Sequence, residues 1–387
     1  MTEMEYVLIG LLAVVAADIY IWAAYIRKRK TVWRILHWIP LAVLLSVVAV
    51  NLVEMKWWTV TVLTALLLGF FIPECVFALF ALTGKLIGKF WKPASGAGFL
   101  IGAAAGFAMM ATTVYGLTEG WRHVIVKNTE IGFGGLPESF DGYRIVQLSD
   151  LHLGTFENSP ATVRKIVSRV NALEPDVILF TGDMVNLSPE ELAPFMKEIS
   201  GLKARDGVYS VLGNHDYCGY AHYATEDGQK KAVLRLMDME RECGMDLLMN
   251  ENRILRNGQD SIALIGVEND GIPPFPERGD LVKAQNGLPE GIFKILMSHD
   301  PTHWRRKVLP QTDIDLTLSG HTHAMQVRIG NFSPSQFIYK EWGGLYRDGD
   351  RALYVSTGTG GNIAFRVGAW PEIDVITLKK RLKKSQE

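Results

Sequence analysis

Four long apolar runs in the first third of the chain constrain its fold more than any other feature. They cover about residues 6–25, 35–53, 57–82 and 97–117. Inside a bilayer every backbone amide and carbonyl must be satisfied within the protein, so runs of about 20 apolar residues cross it as helices. Buried helices of a soluble protein are the alternative, but four such runs in succession disfavour it. We therefore predict a four-helix transmembrane domain over residues 1–117.

The charges that flank these runs predict the topology. Positive charge follows the first run, whereas a cleaved signal peptide carries it before the apolar stretch. The basic residues of the connections are Arg27, Lys28, Arg29, Lys30 and Arg34 in the first, Lys56 beside Glu54 in the second, and Lys85, Lys89 and Lys92 in the third. By the positive-inside rule the first and third connections are cytoplasmic. We expect a multi-pass plasma or inner membrane protein in which everything after residue 118 lies on the outer or periplasmic side.

The apolar runs also contain two carboxylates and a glycine repeat, which membrane crossing alone does not require. Asp18 and Glu74 lie within them, where a carboxylate is costly and usually functional, although a protonated acid bonded inside the bundle is the alternative. Gly98, Gly102 and Gly106 recur at every fourth position, which predicts a helix face that a neighbouring helix approaches closely.

After a juxtamembrane linker at residues 118–142, the pattern changes to an α/β domain over residues 143–387. Strands are predicted at 143–149, 176–181, 207–212, 253–255, 261–267, 293–298, 314–319, 324–329, 352–356 and 373–378. Helices are predicted from Ser159, which is expected to cap the first of them, at 190–202 and at 230–243. Residues 121–133 alternate weakly and form a further candidate strand. Strand–helix units followed by strand-rich sequence indicate two packed sheets with helices outside. The predicted fold is a double β-sheet sandwich flanked by helices.

Five polar clusters follow predicted strands of this domain. They are Asp150-Leu151-His152, Gly182-Asp183, Gly213-Asn214-His215-Asp216, His299 and Gly320-His321-Thr322-His323. Such side chains are poor core material unless they find partners, and open α/β sheets place their chemistry at strand ends. Five of the nine histidines lie in these clusters. Together they supply a ligand set for two metal ions.

Composition narrows the chemistry of that set. Three cysteines exclude a Cys-rich zinc site, and mixed nitrogen and oxygen ligands suit Mn, Fe or Zn. The balance of 40 basic against 41 acidic residues gives no case for nucleic acid as a partner. Two ions about 3.5–4 Å apart can clamp a phosphoryl group and share a hydroxide, which requires a bridging carboxylate. Asp183, in its glycine turn, is the predicted bridge.

The order of these motifs resembles the calcineurin-like metallophosphoesterase superfamily over about residues 143–378. The resemblance implies the sandwich fold and a binuclear site. One ion would be held by Asp150, His152, Asp183 and His323, and the second by Asp183, Asn214, His299 and His321. It also implies that His215 is the acid that protonates the leaving oxygen, oriented by Asp216. One departure is Ala324-Met325-Gln326, where relatives often have two glycines.

The chain more closely resembles one branch of this superfamily, in which such a domain follows amino-terminal membrane helices. This branch includes the phosphodiesterase-like proteins YkuE and YaeI, and the resemblance implies a substrate class. Gly142–Ser149, leading into the first motif, is typical of that branch. Some relatives act on UDP-diacylglucosamine or other phospholipid-like substrates. We therefore expect a Mn-dependent phosphodiesterase or pyrophosphatase that acts on a membrane-associated phosphoester. Nucleotide sugars are cytoplasmic, so a UDP-diacylglucosamine substrate and a catalytic domain on the outer side cannot both be correct.

Other classes of function remain open. The enzyme alternative is a phosphomonoesterase or phosphoprotein phosphatase that acts on soluble substrates. A catalytically inactive membrane regulatory protein is disfavoured because no ligand is missing. A transporter would require more helices and paired intramembrane charges.

Two further segments bear on the membrane and on the thiols. The aromatic segment 217–223 and the basic tail 379–384 are expected to meet the bilayer surface, although a packed lid and a solvated tail are the alternatives. Cys218 and Cys243 either form a disulfide or stay separate thiols.

Overall fold

The computed structural model describes residues 3–53, 57–156 and 159–381. The chain divides into two compact units, Met1–Glu119 and Gly120–Glu387. Several residues used in the topology and tail predictions lie outside the described residues: Glu54, Lys56, Leu382, Lys383 and Lys384. The assignment of residues 118–142 as a linker and 143–387 as the catalytic domain stays a prediction.

The first unit is mainly helical in its described part. Its helices are α1 (Glu3–Ile21), α2 (Thr31–Val53), α3 (Trp57–Leu66), α4 (Ile72–Ile87) and α5 (Pro93–Thr118). Short π-helical turns at Trp22–Ile26 and Leu67–Phe71 extend α1 and join α3 to α4. Three apolar segments are long enough to cross a membrane, Thr31–Val50, Thr59–Ile87 and Pro93–Arg122, whereas Leu12–Ile26 is shorter. The described residues thus support three of the four predicted spans.

The glycines of α5 lie against α4, as the four-residue spacing predicts. A Cβ added to Gly98 would lie 2.5 Å from the carbonyl oxygen of Phe80 and 2.7 Å from the Cα of Gly84. One added to Gly102 would lie 3.0 Å from the Phe77 carbonyl oxygen. Real side chains cannot approach backbone that closely, so only glycine permits this helix pair to pack at this distance.

The second unit contains two six-stranded sheets. The strands are β1 (Ile125–Phe133), β2 (Arg144–Leu148), β3 (Val177–Phe180), β4 (Val208–Ser210), β5 (Asp246–Leu247), β6 (Glu251–Asn257), β7 (Asp260–Gly266), β8 (Phe293–Met297), β9 (Leu316–Ser319), β10 (Gly344–Asp348), β11 (Arg351–Val355) and β12 (Glu372–Lys380). The first sheet has the order β1-β12-β2-β3-β4-β5 and the second β10-β11-β9-β8-β7-β6. Strands β2, β3 and β4 run parallel in the first sheet, as do β7, β8 and β9 in the second.

The two sheets pack face to face, with helices on their outer faces. Buried Ile145 and Leu179 of the first sheet share one core with Leu264 and Ile295 of the second. The helices of this unit are α6 (Pro160–Asn171), α7 (Met196–Ile199), α8 (Glu226–Glu242), α9 (Leu281–Ala284) and α10 (Leu309–Gln311). Val163 and Leu236, from α6 and α8, pack on the outer face of the first sheet. The predicted sandwich flanked by helices is therefore present.

Three local predictions are wrong. The helix expected over 190–202 is broken into short 3₁₀ turns before α7, because Pro194 has no amide hydrogen and its ring clashes with a preceding turn. Ser159 precedes α6 without capping it, since its hydroxyl lies 3.3 Å from Thr162 Oγ1 and not on a backbone amide. The strand expected over 324–329 is instead a tight turn at its start, with left-handed φ at Ala324 and the next two residues.

The three cysteines are free thiols. Cys218 Sγ lies 3.6 Å from the carbonyl oxygen of Asp216 and Cys243 Sγ lies 3.6 Å from that of Met196, which agrees with separate thiols.

Candidate metal centre

The five polar clusters follow the carboxyl ends of neighbouring strands. Asp150 comes two residues after β2, Asp183 three after β3, and His299 two after β8. Because parallel neighbours end at the same edge of a sheet, their loops lie side by side. The structure brings together all seven residues predicted to bind metal: Asp150, His152, Asp183, Asn214, His299, His321 and His323.

The first group of these side chains contains Asp150, His152, Asp183 and His323. Each offers a ligand atom, and these atoms lie within 4.8 Å of one another. His323 Nε2 is 3.2 Å from His152 Nε2 and 3.3 Å from Asp150 Oδ1. Four buried donors that face one point are suited to a single divalent ion.

The second group shares Asp183 with the first. It joins Asp183 to His299 and His321, again with ligand atoms within 4.8 Å of one another. Asn214 lies beside them, with its Oδ1 2.8 Å from His321 Nδ1. Asp183 Oδ2 lies 3.2 Å from His299 Nε2 and 3.5 Å from His152 Nε2, between the two groups. This is the position that a bridging carboxylate requires.

His299 shows most directly that the site fits a cation. Its Nδ1 donates to the carbonyl oxygen of Thr181 at 2.7 Å, which leaves Nε2 facing Asp183. Nε2 is buried and lies 3.2 Å from Asp183 Oδ2 without a well-aligned hydrogen bond. Burial by itself lowers the pKa of His299, but the Asp183 carboxylate raises it to about 10. The Asp183 carboxylate therefore favours positive charge at Nε2 of His299, and a bound divalent ion would supply that charge.

The remaining imidazoles are held in the form that binds metal. Burial, with the nearby His215, lowers the pKa of His152 to about 3, and burial lowers that of His321 to about 4. Both rings are therefore neutral near pH 7, as metal ligation requires. Burial raises the pKa of Asp150 to about 6, and the neighbouring Asp183 charge adds to the rise. Two buried carboxylates in contact with neutral imidazoles need cations between them.

The backbone around the site is strained. Asp150, His152, Asp183, His321 and His323 have φ of +54°, +49°, +59°, +72° and +49°. Non-glycine residues pay roughly 1–3 kcal/mol for such conformations and keep them where the surroundings enforce them. Two glycines permit the close approach: a Cβ on Gly182 would lie 2.5 Å from the Gly213 nitrogen, and one on Gly213 would lie 2.2 Å from Asp183 Oδ1.

His215 lies next to the ligands without belonging to either group. Its amide donates to Asp183 Oδ1 at 2.8 Å, and its ring stacks on Tyr220 with centroids 4.3 Å apart. Its Nδ1 lies 2.8 Å from the carbonyl oxygen of Asn186, which can fix the ring with Nδ1 as the donor. That tautomer leaves Nε2 as the ring nitrogen that Asn186 does not engage.

The prediction that Asp216 orients the His215 ring is wrong. The Asp216 carboxylate instead accepts hydrogen bonds from the backbone amides of Asp183, Met184, Val185 and Gly213, at 2.7–3.2 Å. It clamps the turn that carries Asp183 onto the turn that carries Asn214. Adjacency in sequence did not indicate the direction of this side chain.

Three residues near the site have no motif that marks them in the sequence. The Asn186 carbonyl fixes His215, Tyr339 Oη lies 3.0 Å from His321 Nε2, and Arg366 Nη2 lies 3.3 Å from His323 Nδ1. Arg366 is fully buried and donates to the carbonyl oxygens of Gly360 and Ala369. A lone arginine far from the histidines gives no signal before the fold is known.

Comparison with known proteins agrees with this geometry. Residues 143–325 match the family model of the calcineurin-like phosphoesterases. A relative from Danio rerio, named a transmembrane protein with metallophosphoesterase domain, is 33% identical over 69% of this chain and 60% of that protein. The matched region thus spans less than two thirds of that relative.

Two bacterial relatives are covered more fully. YkuE of Bacillus subtilis, named an uncharacterized metallophosphoesterase, is 28% identical over 72% of this chain and 95% of that protein. LpxG of Chlamydia trachomatis, named a UDP-2,3-diacylglucosamine pyrophosphatase, is 26% identical over 62% of this chain and 85% of that protein. The motifs, the matched model and the clustered ligands agree, and residues 143–325 carry a calcineurin-like phosphoesterase domain.

Proposed function

We propose that the chain is a phosphodiesterase or pyrophosphatase that uses two divalent ions, with manganese favoured, to hydrolyse a membrane-associated, lipid-like phosphoester. The observation that carries the two-ion part is the position of Asp183. Its carboxylate lies between two ligand groups that share no other residue. A site for one ion would need only one of these groups.

The proposed hydrolysis assigns a separate role to each group of side chains. When bound, the two ions would supply Lewis-acid charge to the phosphoryl oxygens and an activated water as the nucleophile. Asp183, held by the amide of His215 and clamped by Asp216, fixes the spacing of the two groups. His215 is placed to give a proton to the leaving oxygen from Nε2, because Nδ1 is engaged by Asn186.

An apolar loop supports a lipid-like substrate. This loop, residues 324–338, which we name the rim loop, follows His323 directly and ends next to Tyr339, which contacts His321. It presents Ile329, Phe337 and Ile338 to solvent with 69%, 77% and 65% of their surface exposed. Ser333 donates to the Ala324 carbonyl oxygen at 2.7 Å and so ties the loop back to the metal centre. Exposed apolar clusters beside a site commonly meet apolar ligands or membranes.

The segments first expected to meet the bilayer fit less well. In segment 217–223, Tyr217 and Cys218 are buried, which agrees with the alternative of a packed lid. Of the basic tail, Lys379 and Lys380 belong to β12, where Lys380 donates to the carbonyl oxygen of Leu136. The rim loop replaces both as the candidate membrane-facing surface.

The relative LpxG suggests a substrate class. LpxG is named for the hydrolysis of UDP-2,3-diacylglucosamine, a diacylated substrate, which agrees with an exposed apolar loop beside a phosphoesterase centre. The orientation proposal is separate. The positive-inside rule places the second unit outside whether or not α1 crosses the membrane, because the basic connections after residues 26 and 84 are unchanged. A lipid phosphoester of the outer leaflet satisfies both proposals, whereas a nucleotide sugar does not.

The test compares two substrates in one protein. Full-length protein is assayed with bis-p-nitrophenyl phosphate in detergent, with and without Mn²⁺, and with a phospholipid phosphodiester in vesicles. The variant Phe337→Ser/Ile338→Ser should keep the first activity and lose most of the second. Val282→Ser, at another exposed apolar residue, is the matched control and should keep both. Equal vesicle rates for the rim-loop variant and the control would contradict the lipid-like substrate, and no Mn²⁺-dependent turnover would contradict the hydrolase.

A further inference from the structure

Three polar side chains of the first unit converge from three different helices. Asp18 lies on α1, His37 on α2 and Glu74 on α4, and their ligand atoms lie within 4.8 Å of one another. Asp18 Oδ1 is 3.1 Å from His37 Nε2. Asp18 is only 2% exposed although the surrounding helices are apolar. Polar side chains placed together at this depth require an explanation.

Apart from the ion pair between Asp18 and His37, their polar atoms are close together without well-aligned hydrogen bonds. Asp18 Oδ1, His37 Nε2 and Glu74 Oε2 are buried and have no hydrogen-bond partner among the described residues. Two carboxylates at this separation repel each other strongly where water is scarce. The cluster is therefore incomplete without positive charge.

The helices are irregular around the cluster, and a cavity opens beside it. Pro40 lies inside α2 three residues after His37, and Pro73 precedes Glu74. The π-helical turn Leu67–Phe71 leads into α4, and such turns are frequent at functional sites. A cavity of about 480 Å³ is lined by both His37 and Glu74, with Gly102 and Gly106 among its other walls.

We propose that Asp18, His37 and Glu74 form a binding site for a divalent cation in the membrane unit, distinct from the phosphoesterase centre. Two carboxylates and a neutral imidazole around a divalent ion sum to zero charge, which removes the repulsion at this depth. Mixed oxygen and nitrogen ligands suit Mn²⁺, Fe²⁺ or Zn²⁺. The ion would also cross-link α1, α2 and α4.

The basic connections indicate the side from which the ion enters. With a rise of 1.5 Å per residue, Asp18 lies about 14 Å from Arg27, His37 about 10 Å from Lys30 and Glu74 about 17 Å from Lys85. These depths place the cluster within reach of the side that carries the first and third connections. The cavity is lined near that side by Ile26 and Trp33, which flank the first connection.

Metal counting tests the proposal on the full chain in detergent. Each protein is stripped with a chelator, loaded with Mn²⁺, desalted and analysed for metal per chain by mass spectrometry. Asp18→Asn/Glu74→Gln should bind one Mn²⁺ fewer than wild type. Thr113→Val, which changes a buried polar residue elsewhere in the unit, should match wild type. Asp150→Asn/Asp183→Asn should retain one Mn²⁺, and a chain with all four substitutions should retain none.

This design separates the cluster from the phosphoesterase centre. If the centre binds no metal, wild type holds one Mn²⁺ and the Asp18→Asn/Glu74→Gln chain holds none. If that variant does not fold, the Asp150→Asn/Asp183→Asn chain decides, because loss of all its metal contradicts the proposal. Equal metal in Asp18→Asn/Glu74→Gln and wild type would also overturn it, and protons would then balance the charge of the cluster.

Discussion

The backbone amide of Asp183 donates a hydrogen bond of 2.7 Å to the carboxylate of Asp216. The residue beside the proposed acid therefore supports the bridging ligand and does not touch the imidazole. Three further backbone amides donate to the same carboxylate, which joins the turns after β3 and β4. The spacing of the two ligand groups thus depends on the Asp216 side chain, which belongs to neither group.

Asp216→Asn should act on stability and on the geometry of the site. An amide of the same shape removes acceptor positions that face backbone amides, so we expect a loss of about 3 kcal/mol in unfolding free energy. The loss of rate should be equal for good and poor leaving groups. Chemical unfolding and a series of aryl phosphodiesters measure the two effects. A rate loss that grows with the pKa of the leaving group would instead indicate that Asp216 acts in proton transfer.

His215→Asn should show the opposite signature. General acid catalysis contributes typically 10²–10⁴-fold, most for poor leaving groups. The variant should hold as much metal as wild type, because His215 belongs to neither ligand group. Its rate should fall steeply on an alkyl phosphodiester and little on one that releases p-nitrophenol. Loss of metal, or an equal loss on both substrates, would rule out the assignment.

Tyr339→Phe should weaken metal binding in the second group. The hydroxyl lies 3.0 Å from His321 Nε2, while His321 Nδ1 faces Asn214 Oδ1 at 2.8 Å. Loss of a partner that orients a ligand typically costs 10–100-fold in metal affinity or activity. Activity measured against Mn²⁺ concentration should shift to higher metal, with near-normal turnover at saturation. Tyr346→Phe, which removes a hydroxyl that accepts from Trp342, is the matched control and should not shift the curve.

Glu240 should make stability fall as the pH rises. Burial, with the nearby Asp216 charge, raises its pKa to about 8 from an ordinary value of 4.5. Between these values the folded protein holds a proton that the unfolded chain has lost. The contribution to stability is therefore present below pH 4.5 and is lost as the pH rises through about 8.

Glu240→Gln removes this titration and should flatten the dependence of the melting temperature on pH between 5 and 9. Glu242→Gln, an exposed acid of the same helix, should keep the slope of the wild type. Parallel curves for wild type and Glu240→Gln would contradict the assignment.

The sequence predicted the sandwich and its strand ends because both follow from short-range patterns. The apolar runs of β2, β3, β8, β9 and β11 were located within a few residues. The strands β5 and β10 were missed, since Asp246–Leu247 is too short for a pattern and Gly344–Asp348 is half-buried and mixed in polarity. Pro194 broke a helix whose periodicity alone looked continuous.

The sequence predicted the ligand residues of the metal centre, whereas it did not predict the residues that hydrogen-bond to those ligands. Asp150, Asp183 and His299 are marked by their place after apolar strands. The supports come from residues distant in sequence, such as Tyr339 and Arg366, and only the packed structure brings them to the histidines. At Ala324–Gln326, where relatives often have two glycines, this chain has three non-glycine residues with left-handed φ. That conformation costs roughly 1–2 kcal/mol per residue.

Removing the charge of Asp183 tests the proposed two-ion site most directly. Wild type and Asp183→Asn are stripped, loaded with Mn²⁺ and assayed with bis-p-nitrophenyl phosphate, with metal per chain measured on the same samples. We expect that Asp183→Asn folds, binds at least one Mn²⁺ fewer than wild type and turns over slower by orders of magnitude, because both ions would share the lost charge. Near-normal turnover with an undiminished metal content would contradict it.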